Sequence, residues 1–397
     1  METFRYHVLA IGSIAGTIIG VGMFGLPYAA LKAGFFLTAF YLIFFGILMS
    51  ISHLAYAHVT MRTREDHRLT GYAGLYLGPR WKLVTLLQGL ITLWGTLLVY
   101  AIVSAGFLNI IFSSIGLSVS ESLLGVIFFL IGSAIVWGGD SKVGMQEILF
   151  MLPMALIIVL IFFMSIFSPH FSFSRLTSLD MNKWVLPYGI TLFSLAGFSV
   201  IPLLEHILAP ARRKGIFINY PLIVFTGTLI PTFLYLLFVW GVLGVSGSST
   251  SEDALSGLVA FLGTKVVVAG ALLGILSLYT SFIAVGNELA KSFIEDYRMG
   301  KGISFLLALG VPLLFYILNL RDFITIAGFI GAVMGGYVGI LSVLLFWKAK
   351  AHGDEKSPFR FSLSRPVGIF IIAIFTFASV YAVIDIISPL LFFPPSG

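Results

Sequence analysis

Two stretches of this chain carry residue types from which a polar site inside an apolar protein is built. The first is Ala15-Gly16-Thr17-Ile18-Ile19-Gly20-Val21-Gly22-Met23-Phe24-Gly25-Leu26-Pro27, inside an apolar segment over about 6–34. Glycine costs a helix about 1 kcal/mol relative to alanine, and proline removes an amide donor. With Gly20, Gly22 and Gly25 so close together and Pro27 following, the helix is expected to break here. In hydrocarbon each unpaired N–H or C=O costs several kcal/mol, so a break survives only where it is buried in protein or lines a polar cavity. The chemistry on offer is capture of a polar solute by freed backbone at mid-membrane. The plainer reading is close packing on a neighbouring helix through small residues. The same three glycines spell G-x-G-x-x-G, but a dinucleotide fingerprint needs a preceding strand and an acidic residue about twenty positions on. Here the flanks are membrane-length apolar runs, and the first downstream acid is Glu65.

The second stretch, Phe193-Ser194-Leu195-Ala196-Gly197-Phe198-Ser199-Val200-Ile201-Pro202, echoes the first: small residues, then a proline. Ionisable residues in or near apolar segments are functional candidates by default. Here these are His53, His58, Glu205, His206, Glu288 and Asp385. Glu205 and His206 lie six to seven residues before Arg212, which suits an inner gate or salt bridge, with proton coupling as the alternative. Glu288 fits either role. His58, near a span end, is expected to meet headgroups or water, and Asp385 to be structural. There is no H-E-x-x-H, no G-x-S-x-G and no paired aspartate on neighbouring spans, so an enzyme is not expected. With no cysteine, disulfides and thiolate metal sites are excluded.

The elements that must position these residues are membrane spans. Of 397 residues, 59% are hydrophobic and only 10% charged, with mean hydropathy +1.06. Soluble domains carry about 25% charged residues, so the chain reads as an all-α polytopic membrane protein. The net charge of +6 does not point to nucleic acid, because the basic residues sit in short loops. Hydropathy predicts eleven transmembrane helices, over about 6–34, 35–60, 81–112, 123–138, 143–167, 184–209, 216–245, 255–293, 303–318, 323–347 and 367–391. With the N-terminus cytoplasmic, Lys32, Arg175, Lys183, Lys265 and Arg321 are the only ones of 23 basic residues left outside. That puts the 62–80 and 348–365 stretches, and Lys142, in the cytoplasm, and Gly397 with the 394–397 tail outside. The first and sixth spans take matching positions if 6–167 and 184–347 are two repeats within one domain, 1–397. An odd number of spans inverts the second repeat, giving a 5+5 inverted repeat with broken helices 1 and 6, plus helix 11 at 367–391.

These features resemble a known family. The run Ala15-Gly16…Gly20-Val21-Gly22 is similar to the signature of the amino acid/auxin permease family, within the amino acid–polyamine–organocation superfamily, and of the wider leucine-transporter (LeuT) fold. Tyr100-Ala101-Ile102-Val103-Ser104-Ala105-Gly106, Gly197-Phe198-Ser199-Val200-Ile201-Pro202 and Thr280-Ser281-Phe282 agree with the aromatic and hydroxy amino acid permease-like branch, and Arg212-Arg213-Lys214 recurs in the superfamily. The resemblance implies a secondary active transporter of neutral L-amino acids, aromatic or branched, moved with a cation by alternating access. A membrane amino acid sensor with little transport, or an exchanger, is the alternative. It implies a free amino acid and the lipid bilayer as partners, no obligate protein partner, no cofactor beyond Na⁺ or H⁺ as coupling ion, and residence in the cell membrane.

By the resemblance, the substrate binds between spans one and six. The backbone chemistry agrees. Amides around Val21, Gly22 and Met23 open the second half-helix, a positive end suited to a carboxylate. Carbonyls of Ile18 and Ile19, beside Thr17, and those around Phe193, Ser194 and Ala196 suit an ammonium. Phe24, Gly25, Tyr100, Ser104, Phe193 and Gly197 line the expected side-chain pocket. By analogy with sodium-coupled members of the fold, a cation would sit between the carbonyls of Gly16, Ile19 and Ser277 and the hydroxyls of Thr280 and Ser281. All are neutral oxygens, and no lysine lies between Gln146 and Phe167 to carry a proton, which favours Na⁺ over H⁺. Met23 stands where the fold's other sodium site needs a polar side chain, so that site is not expected. The plainer reading of Thr280 and Ser281 is hydroxyl back-bonding to the preceding turn.

Overall fold

The computed structural model describes residues 2–138 and 143–392, with side chains apart from 143–151, 295–296 and 386–392. Lys142, Gly397 and the 394–397 tail, assigned to sides of the membrane above, lie outside the described residues. The architecture is helical throughout: α1 (Glu2–Ile18), α2 (Gly22–Ala33), α3 (Phe35–Thr60), α4 (Leu69–Leu77), α5 (Pro79–Ser114), α6 (Glu121–Gly138), α7 (Val143–Ile166), α8 (Val185–Ser194), α9 (Leu203–Arg213), α10 (Tyr220–Ser246), α11 (Val259–Leu262), α12 (Thr264–Lys291), α13 (Lys301–Phe305), α14 (Val311–Ile317), α15 (Phe323–Phe329), α16 (Gly336–His352) and α17 (Arg365–Phe392). Helices suit the composition because each satisfies its backbone polar groups internally. Among the described residues seven helices are long and apolar enough to cross a membrane, or nine when each of two bent pairs counts as one. Shorter apolar helices, Leu152–Ile166 and Lys301–Ile317, lie alongside them.

The bent pairs fall on the two stretches singled out in the sequence. α1 stops at Ile18, α2 starts at Gly22, and their axes meet at 57°. The segment Val185–Val200 meets α9 at 45°. Pro27 sits inside α2 without ending it; the break lies upstream, at Ile19 to Val21. The halves pair in order, with α2 packing on α8 and α1 on α9. α10 runs along α1, α2, α3 and α7, and α12 lies along α5 and α7. The long outward faces of α3, α5 and α17 expose Phe36, Leu83 and Phe377, as a bilayer-facing surface requires.

Several boundaries differ from the hydropathy reading. The eighth span begins at Thr264, not near 255, because Gly263 adopts a φ of +81° and turns the chain into α12. The apolar residues before it form a cap, where the Asp253 carboxylate accepts from the Ser256 amide at 3.0 Å and from the Ser251 hydroxyl at 2.5 Å. The 62–80 stretch contains α4, packed on α5 and α16. His58 does not meet headgroups or water: it is 4% exposed, with its ring 4.8 Å from Phe346 and 5.9 Å from Phe359. The chain after α16 folds back over it, a contact between segments some three hundred residues apart that local sequence does not announce.

Candidate functional site

The first break is made by backbone that runs out of helical partners. The Ile19 amide still reaches the Ala15 carbonyl at 2.8 Å; the next bonds are the long Met23-to-Gly20 contact at 3.4 Å and Phe24 to Val21 at 3.1 Å. Val21, Gly22 and Met23 therefore stand at the positive end of α2, as the glycines predict. In the second break the Leu195 amide reaches Thr191 at 3.0 Å and Ala196 reaches Phe193 at 3.4 Å, before the 3₁₀ turn Phe198–Val200. Ala196 is exposed, and Gly16, Thr17, Gly20 and Phe193 are half-buried, whereas Ile18, Ile19, Val21, Met23 and Ser194 are buried. The breaks thus keep some accessible surface beside buried backbone.

The two breaks touch. A Cβ on Gly22 would stand 2.6 Å from the Ser194 Cα, so glycine there lets α2 lie directly on the backbone of α8. A Cβ on Gly197 would stand 2.8 Å from Ile18 Cγ1 and 3.3 Å from His53 Cε1. Gly22 is therefore both a helix-packing position and a member of the break. Gly25 faces Phe323, Ile190 and Ile324. Phe24 is buried edge-on against Phe107 at 4.8 Å and Phe238 at 6.1 Å. On α5, Tyr100, Ser104 and Phe107 share one face by their spacing. Phe107 brings that face to α2, and the buried Ser104 hydroxyl has no hydrogen-bond partner among the described residues. The Ser194 hydroxyl, by contrast, is spent on the Ile190 carbonyl at 2.7 Å, and the Thr17 hydroxyl donates to Ser13 at 2.9 Å.

The residues proposed for a cation are less assembled. The Thr280 hydroxyl donates to the Ser277 carbonyl at 2.9 Å, the local back-bonding that the sequence left open. α1, which carries Gly16 and ends just before Ile19, makes little direct contact with α12, and α7 packs on both. Beyond the second break, Glu205 pairs with Arg212, and His206 Nε2 lies 3.4 Å from Asp66. Lys214 pairs with Glu2 at 2.9 Å, which tethers α1 to the end of α9; the pair lowers the Glu2 carboxyl and raises the Lys214 ammonium through their mutual hydrogen bond and charge. Glu288 lies within electrostatic reach of Arg68, whose Nη1 donates to Ser292 at 2.6 Å.

Sequence reasoning missed Tyr235, and it named His53 only as an ionisable residue in an apolar segment. The Tyr235 hydroxyl lies 2.6 Å from the Ile18 carbonyl and 3.3 Å from the Ser194 carbonyl. A tyrosine in an apolar helix carries no local signal of this; only its buried hydroxyl, which needs a partner, could have pointed to it. Also missed were Gly189 and Gly331, which leave no room for a Cβ and let α8 lie backbone to backbone on the helix that follows α15.

Two interrupted helices laid against each other in a polytopic bundle give the chain a leucine-transporter-like fold, of the kind in which discontinuous helices build a site at mid-membrane. The structure of MhsT in complex with L-phenylalanine shares this fold with a TM-score of 0.61 at 15% identity, covering 95% of this chain and 98% of that one. The chain matches the tryptophan/tyrosine permease family over residues 7–383, and it belongs to that family. Among curated relatives, tyrosine-specific transport system 1 of Haemophilus influenzae is 27% identical over 86% of this chain and 88% of its own length. Tyrosine-specific transport system 2 of the same organism is 24% identical over 87% and 88%.

Proposed function

We propose that this protein is a secondary active transporter of a neutral amino acid with an aromatic side chain, worked by alternating access and driven by a monovalent cation. The observation that carries this reading is the contact of the two broken helices at Gly22 and Ser194. The substrate carboxylate takes the amides of Val21, Gly22 and Met23, and the ammonium takes carbonyls at Ile19 and Phe193, with Ile18 sharing its oxygen with Tyr235. Phe24, Gly25, Tyr100, Ser104, Phe193 and Gly197 receive the side chain, flanked by Thr17, Ser194 and Ala196. The unpartnered Ser104 hydroxyl suits a polar substituent at the tip of an aromatic ring. Family membership and the names of the two relatives support an aromatic substrate.

The proposed topology is eleven spans in a 5+5 inverted repeat, with α17 as the extra helix, the N-terminus cytoplasmic and the C-terminus outside. The placement of the two bent pairs and the distribution of basic residues support it. Na⁺ binds between Gly16, Ile19, Ser277, Thr280 and Ser281 when α1 closes on α12, so that cation binding orders the backbone holding the substrate. Glu205, His206 and Glu288, with their partners at the cytoplasmic ends, act at the inner gate.

The test is a thermal-shift screen of the purified protein against the neutral, acidic and basic amino acids, followed by uptake into proteoliposomes. A ligand at one hundred times its Kd adds about 2.7 kcal/mol of stability. L-tyrosine, L-phenylalanine or L-tryptophan should stabilise the protein and accumulate under a cation gradient. Stabilisation by none of the neutral amino acids would overturn the reading.

A further inference from the structure

We infer that the groove between α3, α17 and the start of α8 binds one phospholipid molecule, with an acyl chain along its aromatic walls and the phosphate on Lys183. This holds whether or not an amino acid is carried. On α3, Phe40 and Phe44 are one turn apart, as are Tyr41 and Phe45, so the four rings form two rows along one side of the helix. α17 faces them with Ala373 and Ala378 among its larger residues, and the small side chains leave a groove of about 430 Å³ unfilled. Phe45 forms its floor, with its ring 5.1 Å from Tyr188 and 6.0 Å from Phe375. Trp184, the residue before α8, stands at one end, 6.3 Å from Phe377 and 4.6 Å from Tyr381. Phe40 and Phe377 are exposed at the rims, so the groove opens on the surface that a bilayer covers.

The occupant follows from size and charge. A volume of about 430 Å³ holds roughly one turn of a helix, which is about 10–12 Å across with its side chains, so a second copy cannot seat a helix in it. A flexible hydrocarbon chain can, and at this depth the bilayer supplies one. The charge lies next to the aromatic end. Lys183 directly precedes Trp184, is exposed, and pairs with no carboxylate among the described residues. The nearby Asp180 carboxylate accepts from the Asn182 amide at 2.9 Å. An indole at headgroup level with an ammonium beside it is the arrangement that meets a lipid phosphate.

The groove backs onto the first half of the second interrupted helix. Tyr188, in its floor, donates to the Ala332 carbonyl at 3.4 Å, and Ser379 of α17 donates to the same carbonyl at 2.6 Å. Ala332 lies in the π-helical segment Ile330–Gly335, where the wider turn leaves carbonyls for such donors. A chain in the groove touches α8 and α17 together and holds both against this segment. Binding therefore stabilises the folded bundle.

The experiment is native mass spectrometry of the detergent-purified full chain with dioleoylphosphatidylglycerol, alongside thermal melts with the same lipid. Diolein supplies the chains without phosphate, and glycerol 3-phosphate supplies the phosphate without chains. The expected result is one phospholipid retained per chain and a rise in melting temperature. Ala373→Trp fills the groove from an exposed position and should abolish both. Phe370→Ala, at an exposed wall residue, should weaken retention and serves if Ala373→Trp fails to assemble. Lys183→Gln should bind the phospholipid about fivefold more weakly and leave diolein binding unchanged. Glycerol 3-phosphate should give no shift. Retention that Ala373→Trp and Phe370→Ala leave intact overturns the site, and affinity unchanged in Lys183→Gln overturns the phosphate contact. A shift produced by glycerol 3-phosphate alone would make Lys183 a free-anion site instead. A dimer that Ala373→Trp separates would make the groove a contact between copies. Each of these outcomes leaves the transport reading standing.

Discussion

The Tyr235 hydroxyl stands 2.6 Å from the Ile18 carbonyl at the end of one interrupted helix and 3.3 Å from the Ser194 carbonyl at the end of the other. The one hydroxyl proton of this α10 side chain goes to the nearer Ile18 carbonyl, with the Ser194 carbonyl beside it, at two chain ends that lost their helical partners. Since α10 also packs along α1 and α2, movement of either half-helix must be shared with α10 or must break this bond. Removing one partner of a buried hydrogen bond leaves the other unsatisfied, at about 1–3 kcal/mol. Tyr235→Phe should lower the unfolding free energy by an amount of this order and weaken substrate binding. Thermal melts with and without L-tyrosine check it; a variant as stable as the parent, binding equally well, would show the bond to be incidental.

Gly22 and Gly20 separate packing from simple helix breaking. A Cβ on Gly22 meets the Ser194 backbone, whereas one on Gly20 meets nothing nearer than the Ile18 carbonyl oxygen at 3.9 Å. Overpacking costs about 1–3 kcal/mol. Gly22→Ala should therefore push α2 off α8, lower the melting temperature and abolish binding, while Gly20→Ala should melt within a few degrees of the parent. Equal effects from the two would mean that α2 and α8 are not held by this contact.

The chain has no cysteine, so single cysteines report topology cleanly. Ser357→Cys, between α16 and α17, should react with an impermeant maleimide only after the membrane is opened. Leu179→Cys, between α7 and α8, should react in sealed cells. External labelling at position 357 would reverse the proposed orientation.

The hydroxyl pair tests the cation site. Thr280→Ala combined with Ser281→Ala removes both proposed side-chain ligands but also the Thr280 bond to Ser277. Uptake into proteoliposomes should lose its dependence on an inward Na⁺ gradient, and tyrosine affinity in Na⁺ should fall. Transport that follows only an H⁺ gradient and tolerates both substitutions would assign the pair to helix back-bonding alone.

How much of this was legible in sequence differs from residue to residue. The break at Ile18 to Gly22 was readable because glycine acts on the backbone locally, and hydrocarbon offers no water to soften the outcome. The same logic found the second break, and the spacing of Glu205 from Arg212, about two helical turns, puts them on one face of α9, where they pair. The eighth span was drawn too long, since hydropathy cannot distinguish an apolar cap around Leu255 and Leu258 from a helix.

Composition and local backbone chemistry by themselves determined that this is a helical membrane protein interrupted twice. Tertiary structure alone decided that the interruptions meet, that Gly22 rests on Ser194, that Tyr235 joins Ile18 to Ser194 and that His53 lies against Gly197. Each of these is a contact between helices far apart in the chain. In a bundle whose members are apolar on every side, hydrophobic periodicity does not mark which face turns toward which neighbour. Close packing of small residues and the demand that every buried polar atom find a partner make that choice, and both are satisfied only once the helices are assembled.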